Sequence, residues 1–416
     1  MIKNNIIYSD FCDWTFGIKK AEGSFLWNTE GKKLIDFTSG WNVTNLGWNN
    51  PEVNVAIIKQ ARKNVYAAMW MDDPIQEEYA EELVKSLPKG LSFVCRATGG
   101  TDANEKAMLM ARALTKRQKI IGCLDTYHGH SFGTISIGYR PEWARDVAPL
   151  VPEFIKINFP KSTNDSKKDV DVLRLFVIEL EKLLKNKDVA AMVTEAGIIT
   201  GWGSTFVAPK GYLEAVRKIT KKYGTLLILD EVGTGFSRCG KLFGMEIEGI
   251  VPDMSTFAKG MSNGGAAIGA VVVNNKFNDV SLSASKTHST FGWTSVACAA
   301  SLATLKVHKR DRLWEKSKKD GDYIMNNLKK ELADHPRLGE IQGLGMEIGI
   351  MFVKDKKSMD FDDAYANKVI KECYKKGLHL ILGGDGNIQI MPPLTIDRKV
   401  LDDGLDKFLS VVNRLR

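Results

Sequence analysis

No apolar run in the sequence reaches the ~18 residues needed to cross a bilayer. The first residues, "MIKNNIIYSDFCDW", lack the continuous apolar core and small-residue cleavage site of a secretory signal. The six cysteines, Cys12, Cys95, Cys123, Cys239, Cys298 and Cys373, lie far apart and form no C-x-x-C pair, which argues against a zinc site and against a disulfide framework. A reducing cytoplasm is the expected setting, with no membrane and no metal. The net charge of +8 comes without a dense basic block: lysines are scattered through helical stretches such as "VRKITKKYG", as on a solvated surface, so a nucleic-acid partner is not expected. Internal repeats and low-complexity linkers are absent as well.

Hydrophobic residues at 44% and charged residues at 26% place the chain among ordinary globular proteins, and 416 residues suffice for two or three domains. Short runs rich in Val, Ile, Leu and Phe alternate with stretches of helical period, the pattern of a parallel sheet covered on both faces and hence of an α/β protein. The strands are expected near 93–96, 119–124, 189–194, 225–229 and 268–273, with helices near 102–115 and 210–223, the second capped by Gly224. Toward the C-terminus "MEIGIMFV", "LHLILGG" and "NIQIMPP" read as strands among charged helices, which predicts a second, smaller α+β domain. The expected division is an N-terminal segment 1–50, with a hairpin turn at 28–31, packed on the small domain or on a partner subunit; a large domain 51–309; and a small domain 310–416.

Ligands of open α/β sheets collect at the carboxyl ends of the strands. Four such ends carry chemistry here. "ATGGTDANEKAMLMAR" puts Gly99, Gly100 and Thr101 at a helix start, which reads as a phosphate cradle or as a plain capped turn. "DTYHGHSFG" offers Tyr127, an aromatic able to stack on a flat heterocycle or simply to fill the rim. "LLILDEVGTGFSRCGKLFG" ends a buried run in Asp230, a carboxylate that is costly to bury unless a cationic partner such as a protonated pyridine meets it; a helix cap or a metal ligand is the other reading. "PDMSTFAKGMSNGG" sets Lys259 in an apolar context, where an amine is a nucleophile toward an aldehyde; a solvated lysine is the bland reading. Together the four are the parts that hold pyridoxal 5′-phosphate.

The chain resembles the class III aminotransferases of the fold-type I pyridoxal-phosphate enzymes. The likeness runs through "TGGTDANEKAMLMAR", "YHGHSFG", "APKGYLEAVRKITKKYGTLLILDEVGTGFSRCGKLFG", "VPDMSTFAKGMSNGGAAIGAVV", "HSTFGWTSVACAASLATL" and "GNIQIMPPLTI", in the family's order. It implies a large domain built on a mostly parallel seven-stranded sheet and a smaller α+β domain. It also implies that Lys259 binds the cofactor as a Schiff base and moves the proton, and that Asp230 pairs with the pyridinium nitrogen. Gly100 and Thr101 would hold the phosphate, Tyr127 and Val232 the two ring faces, and Thr290 the phosphate of the neighbouring subunit in a homodimer with shared sites. Glu195 matches the family's Glu at the end of its strand and Arg238 the Arg of its GFGR motif, both candidates to stand behind the contacting residues or on the substrate side. The implied activity is transamination between an amine or amino acid and a keto acid or aldehyde; the alternative within the family is a racemase, epimerase or aminomutase.

Two positions depart from the family's pattern. Gly233 stands where many members place a Gln that bonds the phenolic oxygen of the cofactor, so water or another donor takes over, or the ring electronics differ. Gln389 stands where members that grip a carboxylate carry Arg, and a neutral amide cannot replace that charge-assisted fork, which leaves Arg140 and Arg96 as candidates. "TSGWNVTNLGW" resembles the pocket lining of enzymes acting on ω-amines; Trp41, Trp70 and Met71 either form an apolar pocket or fill a dimer interface. Gln389 and these aromatics point toward an ω-amine or ω-amino acid.

Overall fold

The computed structural model describes residues 2–3, 5–7, 16–201, 204–277 and 287–416; Cys12 lies outside them. Near the N-terminus β1 (Ile18–Glu22), β2 (Phe25–Asn28) and β3 (Lys33–Asp36) form an antiparallel meander. The predicted turn is in place, with Gly31 in the left-handed region at φ 85° and the Asn28 side chain accepting from the amides of Glu30 and Lys32.

The large sheet contains β4 (Leu91–Ala97), β5 (Lys119–Cys123), β6 (Phe154–Ile157), β7 (Val189–Glu195), β8 (Leu226–Asp230), β9 (Met254–Phe257) and β10 (Gly269–Asn274), in the spatial order β4-β10-β9-β8-β7-β5-β6. The expected strands are all present. β6 and β9 are additions: "FIKI" and "MSTF" are too short and mixed to stand out by periodicity. Only β10 runs antiparallel to its neighbours. Helices cover both faces, and the strands divide their side chains between them. Leu227 and Leu229 join the core under α2 (Ser166–Leu184) and α3 (Tyr212–Tyr223), while Ile228 and Val193 join the core under α1 (Gly100–Thr115). By the same alternation, Asp230 and Glu195, which face each other in register at the ends of β8 and β7, lie on the α1 side. The predicted cap of α3 holds: Gly224 sits at φ 64° and its amide bonds Thr220 and Lys221 carbonyls.

Beyond Leu313 a second core forms around β11 (Leu338–Leu344), β12 (Glu347–Phe352), β13 (Leu378–His379), β14 (Ile381–Leu382) and β15 (Asn387–Ile390). "LHLILGG", expected as one strand, is split. β13 pairs with β3 of the N-terminal meander, and β14 with β15. Ile35 and Phe37 enter this second core, so the start and the end of the chain pack together.

Candidate active site

Asp230 ends β8 with 2% of its surface exposed. Its Oδ2 accepts from Asn104 Nδ2 at 2.8 Å and pairs with His128 Nδ1 at 2.6 Å, and its Oδ1 accepts from the Val232 amide at 2.9 Å. Asn104 lies one turn into α1 and is itself fixed by donating to the His128 carbonyl and accepting from Thr256. Three elements thus aim donors at one buried carboxylate, and no lysine or arginine among the described residues pairs with it. Oδ1 keeps a lone pair for a further donor.

α1 begins at Gly100 behind Gly99, and no side chain caps its first turn, so its leading amides carry the positive end of the helix dipole without a partner supplied by a cap. The nearest acid, Asp102, is occupied by the Thr98 amide and hydroxyl and by Lys106. The approach is close: a Cβ on Gly100 would stand 3.1 Å from both methyl groups of Val232, and one on Gly129 would stand 2.3 Å from Thr101 Oγ1. Gly100, Thr101, Val232 and the Tyr127–Gly129 loop are therefore one assembly. Tyr127 is half-buried, with its hydroxyl 2.7 Å from His130 Nδ1, and burial and then the Asp230 charge raise its phenol above the ordinary range.

Lys259 opens a short 3-10 turn with φ at 46°, a left-handed conformation that costs a non-glycine residue about 1–2 kcal/mol. Its ammonium makes no hydrogen bond or ion pair with the described residues. Backbone strain that presents an unpartnered amine is the signature of a functional position.

Around the strand ends lie further acids. Glu195 is 2% exposed; its Oε2 accepts from the Thr200 amide at 2.8 Å and hydroxyl at 2.6 Å, whereas Oε1 is buried with no partner among the described residues. Burial and then the neighbouring Asp230 push its carboxyl up to about 7. Glu347, fully buried at the start of β12, accepts from Asn42 at 2.6 Å, Thr205 at 3.2 Å and Gln389 at 3.3 Å, and burial pushes it up to about 7 against the opposing Arg238 guanidinium. Glu231 beside Asp230 faces away into bonds from the Thr234 hydroxyl and the Gly244 and Met245 amides, and burial raises it to about 7.

A carboxyl raised in the folded state from its ordinary 4.5 to about 7 contributes stability that is fully present below 4.5 and lost as pH rises through about 7. For one such group the loss is of order 3 kcal/mol, at about 1.4 kcal/mol per unit. The thermal midpoint of the cofactor-free protein should therefore fall between about pH 5 and pH 8, and Glu231→Gln should flatten part of that fall. A midpoint that climbs across this window in calorimetry contradicts the assignment.

The structure also explains both departures. A Cβ at Gly233 would stand 1.9 Å from Thr200 Oγ1, so the threonine that holds Glu195 fills the space a longer side chain needs. Gln389 accepts from the Trp41 indole at 3.0 Å and donates to Thr205 and Glu347. Of the other sequence candidates, Arg238 is wholly buried, its two terminal nitrogens spent on the Met346 and Pro392 carbonyls, Ser39 and Asn45. It ties the N-terminal segment to the C-terminal strands. Arg140 is clamped between Asp125 and Asp385 and so is not free to grip a carboxylate, while Arg96 donates to Gln76 at 2.8 Å. Trp70 and Met71 are 77% and 54% exposed, so the single chain does not enclose them in a pocket with Trp41. Thr290 is exposed too. Asn104, His128, Thr200 and Glu347 were not singled out from sequence; only Glu347, an acid heading the apolar run "EIGIMF", carried a visible signal.

The family model for Aminotransferase class-III matches residues 11–412. Acetylornithine aminotransferase of Streptococcus mutans is 31% identical over 93% of each chain. Leucine/methionine racemase of Thermococcus litoralis is 30% identical over 93% of this chain and 88% of its own. Among solved structures, taurine:2-oxoglutarate aminotransferase of Bifidobacterium kashiwanohense, in complex with PLP and glutamate, superposes with a TM-score of 0.89 at 29% identity, covering 96% of this chain and 93% of that one.

Proposed function

The chain belongs to the class-III aminotransferases and is a pyridoxal-phosphate-dependent transaminase, and from that premise we propose that Lys259 and Asp230 do its chemistry on an amine or ω-amino donor. The observation that carries the residue assignment is the pairing of an unpartnered amine on strained backbone with a buried carboxylate that three donors hold in place. The residues fit the cofactor: the uncapped start of α1 with Gly100 and Thr101 would hold a phosphate dianion, and Asp230 Oδ1 would accept from a pyridinium N–H. Tyr127 and Val232 would hold the two faces of the ring, and Thr290 would serve the phosphate of a second subunit in a homodimer.

Bound there, the cofactor supplies a carbonyl that condenses with amines and a ring that takes up the electron pair left on the amine-bearing carbon. Lys259 Nζ removes the proton from that carbon and returns it elsewhere, as a base held within the site. Asp230, held by Asn104 and His128, would face the ring nitrogen. Glu195 and Arg238 act on the substrate side, Arg238 by positioning Ser39 and Asn45. The division at residues 50 and 309 separates the segment and two domains that frame the site.

The racemase reading differs only in where the proton returns. A purified holoenzyme given an amine should convert its absorbance from the Schiff-base band to that of the amine form and release one equivalent of carbonyl product. Loss of optical rotation without that conversion would favour racemisation instead.

A further inference from the structure

A second concavity lies where the N-terminal meander meets the C-terminal helices. α4 (Asp363–Lys375) ends in a turn through Lys376 and Gly377, with Gly377 left-handed at φ 83° and its carbonyl accepting from the Ile35 amide of β3. α5 (Arg398–Arg414) brings its first turns to the same place. Between them is a cavity of about 370 Å³ whose apolar wall is Phe25, Ile35 and Val400.

Four lysines line this cavity, Lys33, Lys376, Lys399 and Lys407, against one acid, Asp403. Asp403 is spent on Lys407. Lys376 donates to the neutral Ser410 hydroxyl at 3.0 Å, and the Lys33 ammonium stands 3.6 Å from the centroid of the Phe25 ring. The Lys399 ammonium makes no hydrogen bond or ion pair with the described residues. Three cations thus share one concavity with no carboxylate among the described residues paired to them, and like charges so gathered repel. Lys399 adds a second cost. It stands in the first turn of α5, at the positive end of the helix dipole, where cations are disfavoured. Arg398 beside it is answered by Asp320 at 2.6 Å, whereas the capping Asp397 accepts from the Lys399 amide at 2.8 Å and not from its ammonium.

We propose that this cavity binds a small phosphate-bearing anion, which supplies the negative charge that the chain withholds there. Ammonium groups are compact point charges suited to the oxygens of a phosphate, and the lining has no arginine for the two-pronged grip that suits a carboxylate. The volume is that of a small-molecule site, and the apolar wall accommodates an organic body. The occupant bridges β3, the turn after α4 and the start of α5. One residue beyond Ile35, Asp36 accepts from the Thr38 and Ser39 amides and braces a left-handed turn, with φ of 47°, 57°, 67° and 63° at Ser39, Gly40, Trp41 and Asn42. Ser39 also donates to the Met391 carbonyl. The anion therefore secures the strand from which Trp41 and Asn42 reach Gln389 and Glu347.

The test is calorimetric titration of the holoenzyme, whose cofactor phosphate site is already filled, with pyrophosphate, ADP and citrate at matched ionic strength. Pyrophosphate or ADP should saturate one site per chain below about 1 mM and raise the thermal midpoint, with the Schiff-base absorbance unchanged. Citrate should bind roughly 10-fold more weakly than the better of the two. Lys33→Gln and Lys399→Gln should each weaken phosphate binding roughly 10-fold, the loss of one charge-assisted contact, and leave the rate of the amine half-reaction as it is. Tighter binding of ADP assigns the occupant to organic phosphates and tighter binding of pyrophosphate to free polyphosphate; either supports the site. No saturation by about 10 mM, a preference for citrate, or unchanged affinity in the double variant overturns it. So does loss of the Schiff-base band during the titration, which would put the anion in the cofactor's place.

Discussion

Lys259→Ala is expected to fold normally and to lose at least about 10³-fold in the rate of the half-reaction, since both the covalent attachment and the proton carrier leave with the amine. The fold should survive because the Lys259 ammonium bonds to none of the described residues, so its removal orphans no partner. The backbone at φ 46° is as strained for alanine as for lysine, which keeps the thermal midpoint within a few degrees of the parent. Lys259→Gly relieves that strain and should be the more stable of the two by about 1 kcal/mol, with the same loss of rate. Borohydride reduction followed by mass spectrometry reads the attachment directly: the parent gains the mass of the reduced cofactor at Lys259 and the variants do not. Turnover within tenfold of the parent in Lys259→Ala would remove this lysine from the chemistry.

The parts of this site that sequence revealed are those where local pattern and chemistry coincide. Asp230 closes a run of five buried residues, and Lys259 follows another apolar strand, so each breaks a hydrophobic pattern at a strand end. Residues that act through long-range contact left no such mark. Asn104 looks like any polar residue of a helix, and only the fold brings it to within 2.8 Å of Asp230, 126 positions away in sequence. Thr200 sits in a loop, and its role depends on Gly233 leaving room for it. The left-handed turn at 39–42 was hidden because only one of its four residues is a glycine. Its stability comes from Asp36, Arg238 and Met391, which no local reading connects. Trp70 is 77% exposed in the single chain, so its place, pocket wall or dimer interface, depends on contacts that one chain does not contain.

Asp230→Asn tests the other half of the chemistry, and its two effects can be told apart. The carboxylate's three hydrogen-bond partners among the described residues are donors or a ring nitrogen acting as one: Asn104 Nδ2, His128 Nδ1 and the Val232 amide. An asparagine must therefore turn its own N–H₂ toward one of them. His128 can answer by moving its proton to Nε2, which is buried with no partner in the parent, but Asn104 cannot, since its carbonyl already accepts from Thr256. The expected cost in stability is about 1–3 kcal/mol, the range for a mispaired buried polar group. The loss in rate should be larger, roughly 10²–10³-fold, because a neutral amide no longer holds a proton on the ring nitrogen as negative charge develops on the substrate carbon. Rates normalised to bound cofactor, measured beside urea unfolding, separate the two. A variant destabilised as expected yet still turning over at the parent rate would show that the buried carboxylate serves the fold alone.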